Sequence, residues 1–593
     1  MLGPAPFVLL DDARPGGADA RLYRDPVRIV AAHAPGEVRN ALAALDAARR
    51  ERLHAAGYLA YEAGHALESK LGTPASAGGP LLWFGLFESY ETVAAADVPV
   101  LLPDPRGAWI GRPRPRIGRA DYDAAFARVH DWIEAGDIYQ ANLTFRASVR
   151  LLGDPLAAYA AIRGRAAAGY GGIVWTGEDW LLSFSPELFF ALRDGELIAR
   201  PMKGTTPRGA TPEADAAAKA ALASDPKQRA ENLMIVDLMR NDLTRIAQPG
   251  SVHVPELFKV ETYPTLHTMV STVSARLAEG TSIGEVIAAT FPCGSVTGAP
   301  KIRAMEVIGA VEADARGPYT GSIGRIDAAE ESGSAGAAFN VAIRTLHLPA
   351  GGETASIGLG SGVVADSRAG EEWDECLAKG AFLTRGQGQV DLIETMAFDP
   401  ALGIALLERH LARIKTSAEA LGFAFDRHAA RNELQAATFR LRKPARVRLL
   451  LSRTGNVAIG TAPLPLVPDR PVAVAIRARE VAPRDFRLAH KTSDRQIYPR
   501  VEGAFETLYI DGEGFLTEGS FTSIFVERGG KLLTPPLARG ILPGVLRAEL
   551  IEGGRAMEAE LTPADLARGF FIGNALRGLV AAVTVAEEAS ADL

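Results

Sequence analysis

Cysteine is nearly absent from this chain. Its 593 residues contain two, Cys293 and Cys376. They build neither a disulfide framework nor a CxxC metal site. Long apolar runs are missing too. The densest, Leu81-Leu-Trp-Phe-Gly-Leu-Phe87, is far too short to cross a bilayer. The stretch MLGPAPFVLLDDARPGG has no basic start and little apolar length, so it does not read as a signal peptide. There is no surplus of positive charge: the net charge is −7, which argues against a nucleic-acid surface. No fixed-period repeat is visible. What remains is the expectation of a soluble, cytoplasmic enzyme that binds neither membrane nor nucleic acid.

The composition is ordinary for a globular protein, 47% hydrophobic and 23% charged, in a chain too long for one core. The clearest seam is Thr384-Arg-Gly-Gln-Gly-Gln389. Residues 1–385 and 390–593 therefore read as two domains, with 386–389 as linker. A proline-dense stretch, Pro103 to Arg116, reads as a connector inside the first domain. Tyr122, Phe126, Val129 and Ile133 recur at helical spacing, which predicts a helix over Ala120–Ala135. Helices are also expected over Asp225–Leu243, Ala369–Leu383 and Ala405–Leu421. Strands are expected over Ile138–Phe145, Ala355–Ala365 and Ala445–Ser452.

Three segments carry chemistry in the first domain: Ser185-Pro-Glu187, Arg200-Pro-Met-Lys-Gly-Thr-Thr-Pro-Arg208, and Ala230-Glu-Asn-Leu-Met-Ile-Val-Asp-Leu-Met-Arg-Asn-Asp242. Together they resemble the chorismate-utilising enzymes, a likeness spanning roughly residues 55–385. Taken singly, each charged residue has a bland reading as a solvated side chain. The resemblance implies Mg²⁺ held by Glu231 and Glu375, with Glu372 nearby; a cation of this kind takes a few carboxylates and keeps part of its water. Glu187 stands at the position of the family's general acid. Lys203 stands where anthranilate synthases usually carry Ala and aminodeoxychorismate synthases carry a nucleophilic Lys. His267 is matched to the family's active-site histidine. Gln140 occupies the place where water-using relatives have Lys, which implies ammonia as nucleophile. Arg344, Tyr319, Gly360, Gly362, Ser295 and Thr297 are expected to receive the substrate's carboxylates. Cys293 has no histidine partner in the sequence and is expected to be structural. Arg325, where relatives often have an aromatic, and the long loop Asp327–Gly336 depart from the pattern.

A second constellation lies beyond the seam. Arg413, in Arg409-His-Leu-Ala-Arg-Ile414, and Lys491, in His490-Lys-Thr-Ser-Asp494, precede Glu518 and the loop Gly540-Ile-Leu-Pro-Gly-Val-Leu-Arg547. In this order they resemble the fold-type IV pyridoxal phosphate enzymes. The likeness implies Arg413 and Val545 at the cofactor phosphate, Lys491 as Schiff-base lysine, Glu518 on the pyridine nitrogen, and Asn574 nearby. Ser523 replaces an asparagine of many relatives.

The expected fold is therefore α+β in two domains. An anthranilate synthase component I-like arrangement of layered sheets with helices is followed by an α/β domain resembling D-amino-acid aminotransferase. The implied activity is bifunctional. Chorismate is aminated with ammonia from a glutamine amidotransferase partner, and the 4-amino-4-deoxychorismate is then split by a lyase to 4-aminobenzoate, for folate, and pyruvate. A C-terminal branched-chain or D-amino-acid transaminase, or a first domain acting as anthranilate synthase, are the alternatives. A homodimer through the second domain is also expected.

Overall fold

The computed structural model describes residues 2–72, 78–263, 266–329 and 336–585. Most of the Asp327–Gly336 loop lies outside the described residues. The chain forms two compact units. One comprises 1–102, 112–151 and 159–386; the other comprises 103–111, 152–158 and 387–593.

The first unit is built on two large antiparallel sheets with helices packed against them. In one, Gln140–Leu152 pairs along its length with Thr354–Val363. The other is ten-stranded. In it, Met202–Pro207 pairs with Leu266–Arg276, which also pairs with Glu196–Arg200. The helix Pro226–Thr244 starts where the sequence supplies a cap: the Asp225 carboxylate accepts from the Gln228 amide, and Pro226 fills the first turn. Its Ile235, Val236, Met239 and Leu243 are buried in a core shared with Phe189, Phe190 and Phe291. Burying that stripe fixes the helix's rotation, and so fixes where Glu231 can reach. The helix Ala369–Gly380 packs on Thr354–Val363 and buries Cys376 and Gly380.

In the second unit, Gly403–Ile404, Leu392–Asp399, Ala445–Leu451 and Val457–Pro463 form a four-stranded sheet. An eight-stranded sheet mixes parallel and antiparallel pairs. The helix Leu407–Leu421 buries His410, Leu411, Ile414, Ala418 and Leu421. Along Ala445–Leu451, Val447 and Leu449 are fully buried while Arg446 and Arg448 stay exposed.

The proline-dense connector behaves differently from expectation. Residues 103–111 cluster with the second unit. Trp109 packs 5.8 Å from both Phe423 and Phe486, and its indole N–H donates to the Leu421 carbonyl at 2.9 Å. A large apolar ring with one polar edge is worth burying wherever an acceptor waits, and chain order does not decide that. Among the described residues no helix is long and apolar enough to cross a membrane.

Candidate active sites

The first unit encloses a cavity of about 320 Å³. Its wall includes Glu187, Lys203, Glu231, Ser295, Tyr319 and Arg344, together with Gly360, Gly362, Glu372 and Glu375. Residues far apart in sequence thus meet around one space.

Lys203 reaches this space through a β-bulge. Met202 pairs with Val270 and Thr205 with Thr268, so three steps on one strand face two on the other. The additional residue lies at Lys203-Gly204, and Gly204 takes φ +94°, which favours glycine. Burial pushes the Lys203 amine below its ordinary pKa, and Lys379 adds to this; Glu231, Glu375 and Glu187 oppose it. Glu231 Oε2 lies 4.0 Å from Nζ.

Glu187 is fully enclosed. Burial pushes its carboxyl up to about 7, although the Ser295 hydroxyl donates to it at 2.7 Å. It can hold a proton near neutrality and release it to a leaving group. Arg344 lines the wall in a left-handed conformation (φ +51°). Its guanidinium lies 5.8 Å from the Phe382 ring and makes no ion pair among the described residues. It is therefore ready for a substrate carboxylate. Gln140 is buried with both amide atoms unpartnered. A methyl group on Gly362 would fall 2.6 Å from Lys203 Nζ and 2.8 Å from Gln140 Nε2, which places all three residues together. Gly358 and Tyr319 are as close: a methyl there would collide with the ring.

Glu231, Glu372 and Glu375 line this cavity, but among the described residues no three potential ligands are gathered at coordinating spacing. Glu372 accepts from the Ser367 hydroxyl at 2.7 Å. Glu375 is paired with Lys379 at 2.7 Å, which outweighs burial and holds its carboxyl below the ordinary range. Burial raises Glu231. This open set of carboxylates fits a hydrated Mg²⁺ that takes its remaining ligands from water and substrate.

Two expectations are corrected. His267 does not line this cavity. Its Nε2 lies 2.9 Å from Asp215 and its Nδ1 3.0 Å from the Thr262 hydroxyl, on the opposite face of the strand. Neighbouring residues of a strand point to opposite faces, so Thr268 faces the cavity instead. Thr297 is also turned away: its hydroxyl donates to the Cys293 carbonyl at 2.8 Å. Cys293 is buried and its thiol is pushed up to about 12 by burial, as befits a structural residue. Arg325 pairs with Asp327.

The second unit encloses a cavity of about 490 Å³ lined by Arg413, Lys491, Glu518, Ser523, Val545 and Asn574. Burial pushes the Lys491 amine down to about 7, and Arg413 contributes. Burial pushes the Glu518 carboxyl up to about 7; the Tyr498 hydroxyl donates to it at 2.7 Å and the Leu542 amide at 3.2 Å. Arg413 is braced by Glu394 at 2.6 Å and donates to the Pro543 carbonyl at 3.1 Å, next to the start of the helix Val545–Glu552. Sequence reasoning passed over His410. Its Nδ1 lies 2.5 Å from Glu394, while its buried Nε2 in the cavity wall has no partner. The signal was there: His410 and Arg413 stand three apart on one helix face. Asn574 lines the cavity, but its amide is occupied, donating to the Phe521 carbonyl and accepting from the Leu576 and Arg577 amides. It shapes the turn. A lysine neutral near pH 7, a buried acid, an arginine beside a helix N-terminus and an unpartnered ring nitrogen fit a phosphorylated pyridine aldehyde.

Residues 6–385 match the chorismate binding enzyme family, and residues 391–585 match the class IV amino-transferases. The chain is 43% identical over 266 residues to aminodeoxychorismate synthase component 1 of Klebsiella aerogenes, covering 45% of this chain and 57% of that protein. It is 40% identical over 301 residues to 2-amino-4-deoxychorismate synthase of Streptomyces globisporus, covering 50% and 59%. It thus spans less than two thirds of these relatives. Anthranilate synthase component I from Streptococcus pneumoniae TIGR4 superposes with a TM-score of 0.53 at 25% identity, over 65% of this chain and 93% of that one. The chain belongs to the chorismate binding enzymes and carries a class IV amino-transferase domain after the chorismate-binding one.

Proposed function

We propose that this chain makes 4-aminobenzoate from chorismate and ammonia in two steps, one in each unit. The observation that carries the reading is Lys203: a buried amine with a lowered pKa, in one cavity with a carboxyl raised to about 7. Lys203 Nζ adds to C2 of the ring, both ring double bonds shift by one position, and the C4 hydroxyl leaves as water with the proton of Glu187. Ammonia then adds at C4, both double bonds return to their places, and the bond from C2 to Lys203 breaks. Arg344 holds a carboxylate, and Glu231 and Glu375 would hold Mg²⁺, which supplies positive charge against the dianion. Gln140, beside Lys203, suits an uncharged nucleophile. Relatives named aminodeoxychorismate synthase support this step, and Lys203 is what sets it apart from anthranilate formation.

In the second unit, pyridoxal phosphate would be held by Lys491, Glu518, Arg413 and the helix start at Val545, and supplies an electron sink for the substrate's amino-bearing carbon. Lys491, neutral near pH 7, is the base that takes the C4 proton. Loss of enolpyruvate then leaves an aromatic ring, with pyruvate as second product. Ammonia is supplied by a glutamine amidotransferase, which the "component 1" in the relatives' names supports. The chain acts in the cytoplasm, in folate synthesis.

The test is incubation of the purified chain with chorismate, Mg²⁺, pyridoxal phosphate and an ammonium salt. 4-Aminobenzoate and pyruvate are the expected products. Accumulation of aminodeoxychorismate alone removes the lyase, and anthranilate removes the assignment of Lys203.

A further inference from the structure

The cofactor residues leave much of the second cavity unexplained. Arg446, Arg448, Arg500 and Arg577 also line it, and none forms an ion pair among the described residues. Arginine does not shed its charge to relieve such crowding. Burial lowers the Arg577 pKa, and Arg446 and Arg500 lower it further, so these cations feel one another; Glu506 opposes them. Glu506 is not free to pair. Its oxygens accept from the Ser520 amide and hydroxyl, the Phe521 amide and the Thr522 hydroxyl.

The cluster is also held in shape. Phe521 has a guanidinium near its ring on two counts, Arg500 at 5.2 Å and Arg577 at 5.3 Å. Stacking engages the flat face of a guanidinium and leaves its N–H edge available for a fork-like grip on a carboxylate. Arg500 spends one nitrogen on the Phe505 carbonyl at 2.7 Å. Arg446 and Arg448 alternate with buried Val447 and Leu449, so both stand on one face of their strand. Arg446, Arg448 and Arg500 are exposed at the mouth of the cavity and Arg577 is half-buried, so this group of cations without a carboxylate partner, beside the rings of Phe505 and Phe521, suits a ring that carries anions.

We propose that Arg446, Arg500 and Arg577 form a carboxylate subsite that selects a dicarboxylate cyclic substrate over a monocarboxylate amino acid. The inference rests on the proposed lyase reading, and it deepens it. A cofactor phosphate accounts for Arg413 and the helix start at Val545. A monocarboxylate amino acid would satisfy only part of what remains. Aminodeoxychorismate brings two carboxylates, one on the ring and one on the enolpyruvyl group. These arginines are specificity-determining residues, and the proton transfer stays with Lys491.

The experiment uses the full chain loaded with pyridoxal phosphate, and compares wild type with Arg577→Met and Arg446→Met. Each variant is expected to raise KM for aminodeoxychorismate about ten- to a hundredfold, the equivalent of a lost charge-assisted hydrogen bond. kcat should move by less than about threefold, and cofactor absorbance should be retained. Isophthalate should inhibit the wild type more strongly than benzoate, and that preference should collapse in the variants. An unchanged KM in both variants overturns the subsite, as does equal inhibition by the two acids. Loss of cofactor absorbance also overturns it, because the arginines would then serve the cofactor phosphate. Should Arg577→Met fail to fold, Arg446→Met, at an exposed strand position, decides alone. If the wild type is inert toward aminodeoxychorismate, the lyase reading fails; a shift of the bound-cofactor absorbance with isophthalate and not benzoate then still decides the subsite.

Discussion

A single hydrogen on Gly362 separates its Cα from the amine of Lys203: a methyl group there would stand 2.6 Å from Nζ. Gln140 closes in on the same point. Gly362→Ala should push the amine out of line and reduce chorismate amination by about 100-fold, the usual cost of an ångström of misplacement. Conversion of supplied aminodeoxychorismate to 4-aminobenzoate should be untouched. Assaying the two half-reactions separately checks this.

The acid role of Glu187 sets a pH limit. Its carboxyl is raised to about 7 by burial, so the proton is in place below that value and lost above it. Amination should fall as pH rises through about 7. Glu187→Gln should lower the rate by about 10²–10⁴ and flatten that alkaline limb. Stability runs in the same direction. The folded state holds this proton where the unfolded chain has released it, so stability is lost as pH climbs from the ordinary carboxylate range to about 7.

Lys491 gives the opposite slope. Its amine is pushed down to about 7, and only the neutral form can bond to the cofactor's aldehyde. Stopped-flow absorbance during loading of cofactor-free protein should show a rate that rises with pH to about 7 and then levels. Lys491→Ala should remove the covalent cofactor band and leave amination by the first unit intact.

His267 and Thr268 separate structure from chemistry. His267 bridges Asp215 and Thr262 away from the cavity. His267→Ala should lower the melting temperature by a few degrees, with kcat for amination within about threefold of wild type. Thr268→Val changes a cavity-lining residue and should act on KM or kcat instead. Calorimetry and steady-state kinetics on the pair distinguish the two effects.

Much of the fold was legible because its signals are local. The helix expected over Ala120–Ala135 is Arg119–Glu134, and the one expected over Asp225–Leu243 is Pro226–Thr244. Apolar spacing and capping residues decide these elements. Motif order singled out residues that the fold gathers: Glu187, Lys203, Arg344 and the three glutamates line one cavity. The errors have a different physics. His267 and Thr268 are neighbours in sequence and opposites in space, so an offset of one residue in reading a strand selects the wrong face. Thr297 has the right chemistry, but a closer acceptor in the Cys293 carbonyl takes its hydroxyl. Trp109 reads as connector in the sequence because burial against distant residues leaves no local mark. The arginines of the second cavity lie on strands and turns far apart in sequence, and only folding collects their charge.

The bulge at Lys203-Gly204 has a genetic corollary. Remove one codon there and the strand regains plain alternation, with every hydrogen-bonded neighbour available to it. Lys203 would then exchange faces with its neighbour, and the chain could fold without its nucleophile. In this segment the reading frame of the pleat, as much as the identity of the lysine, is what inheritance must keep.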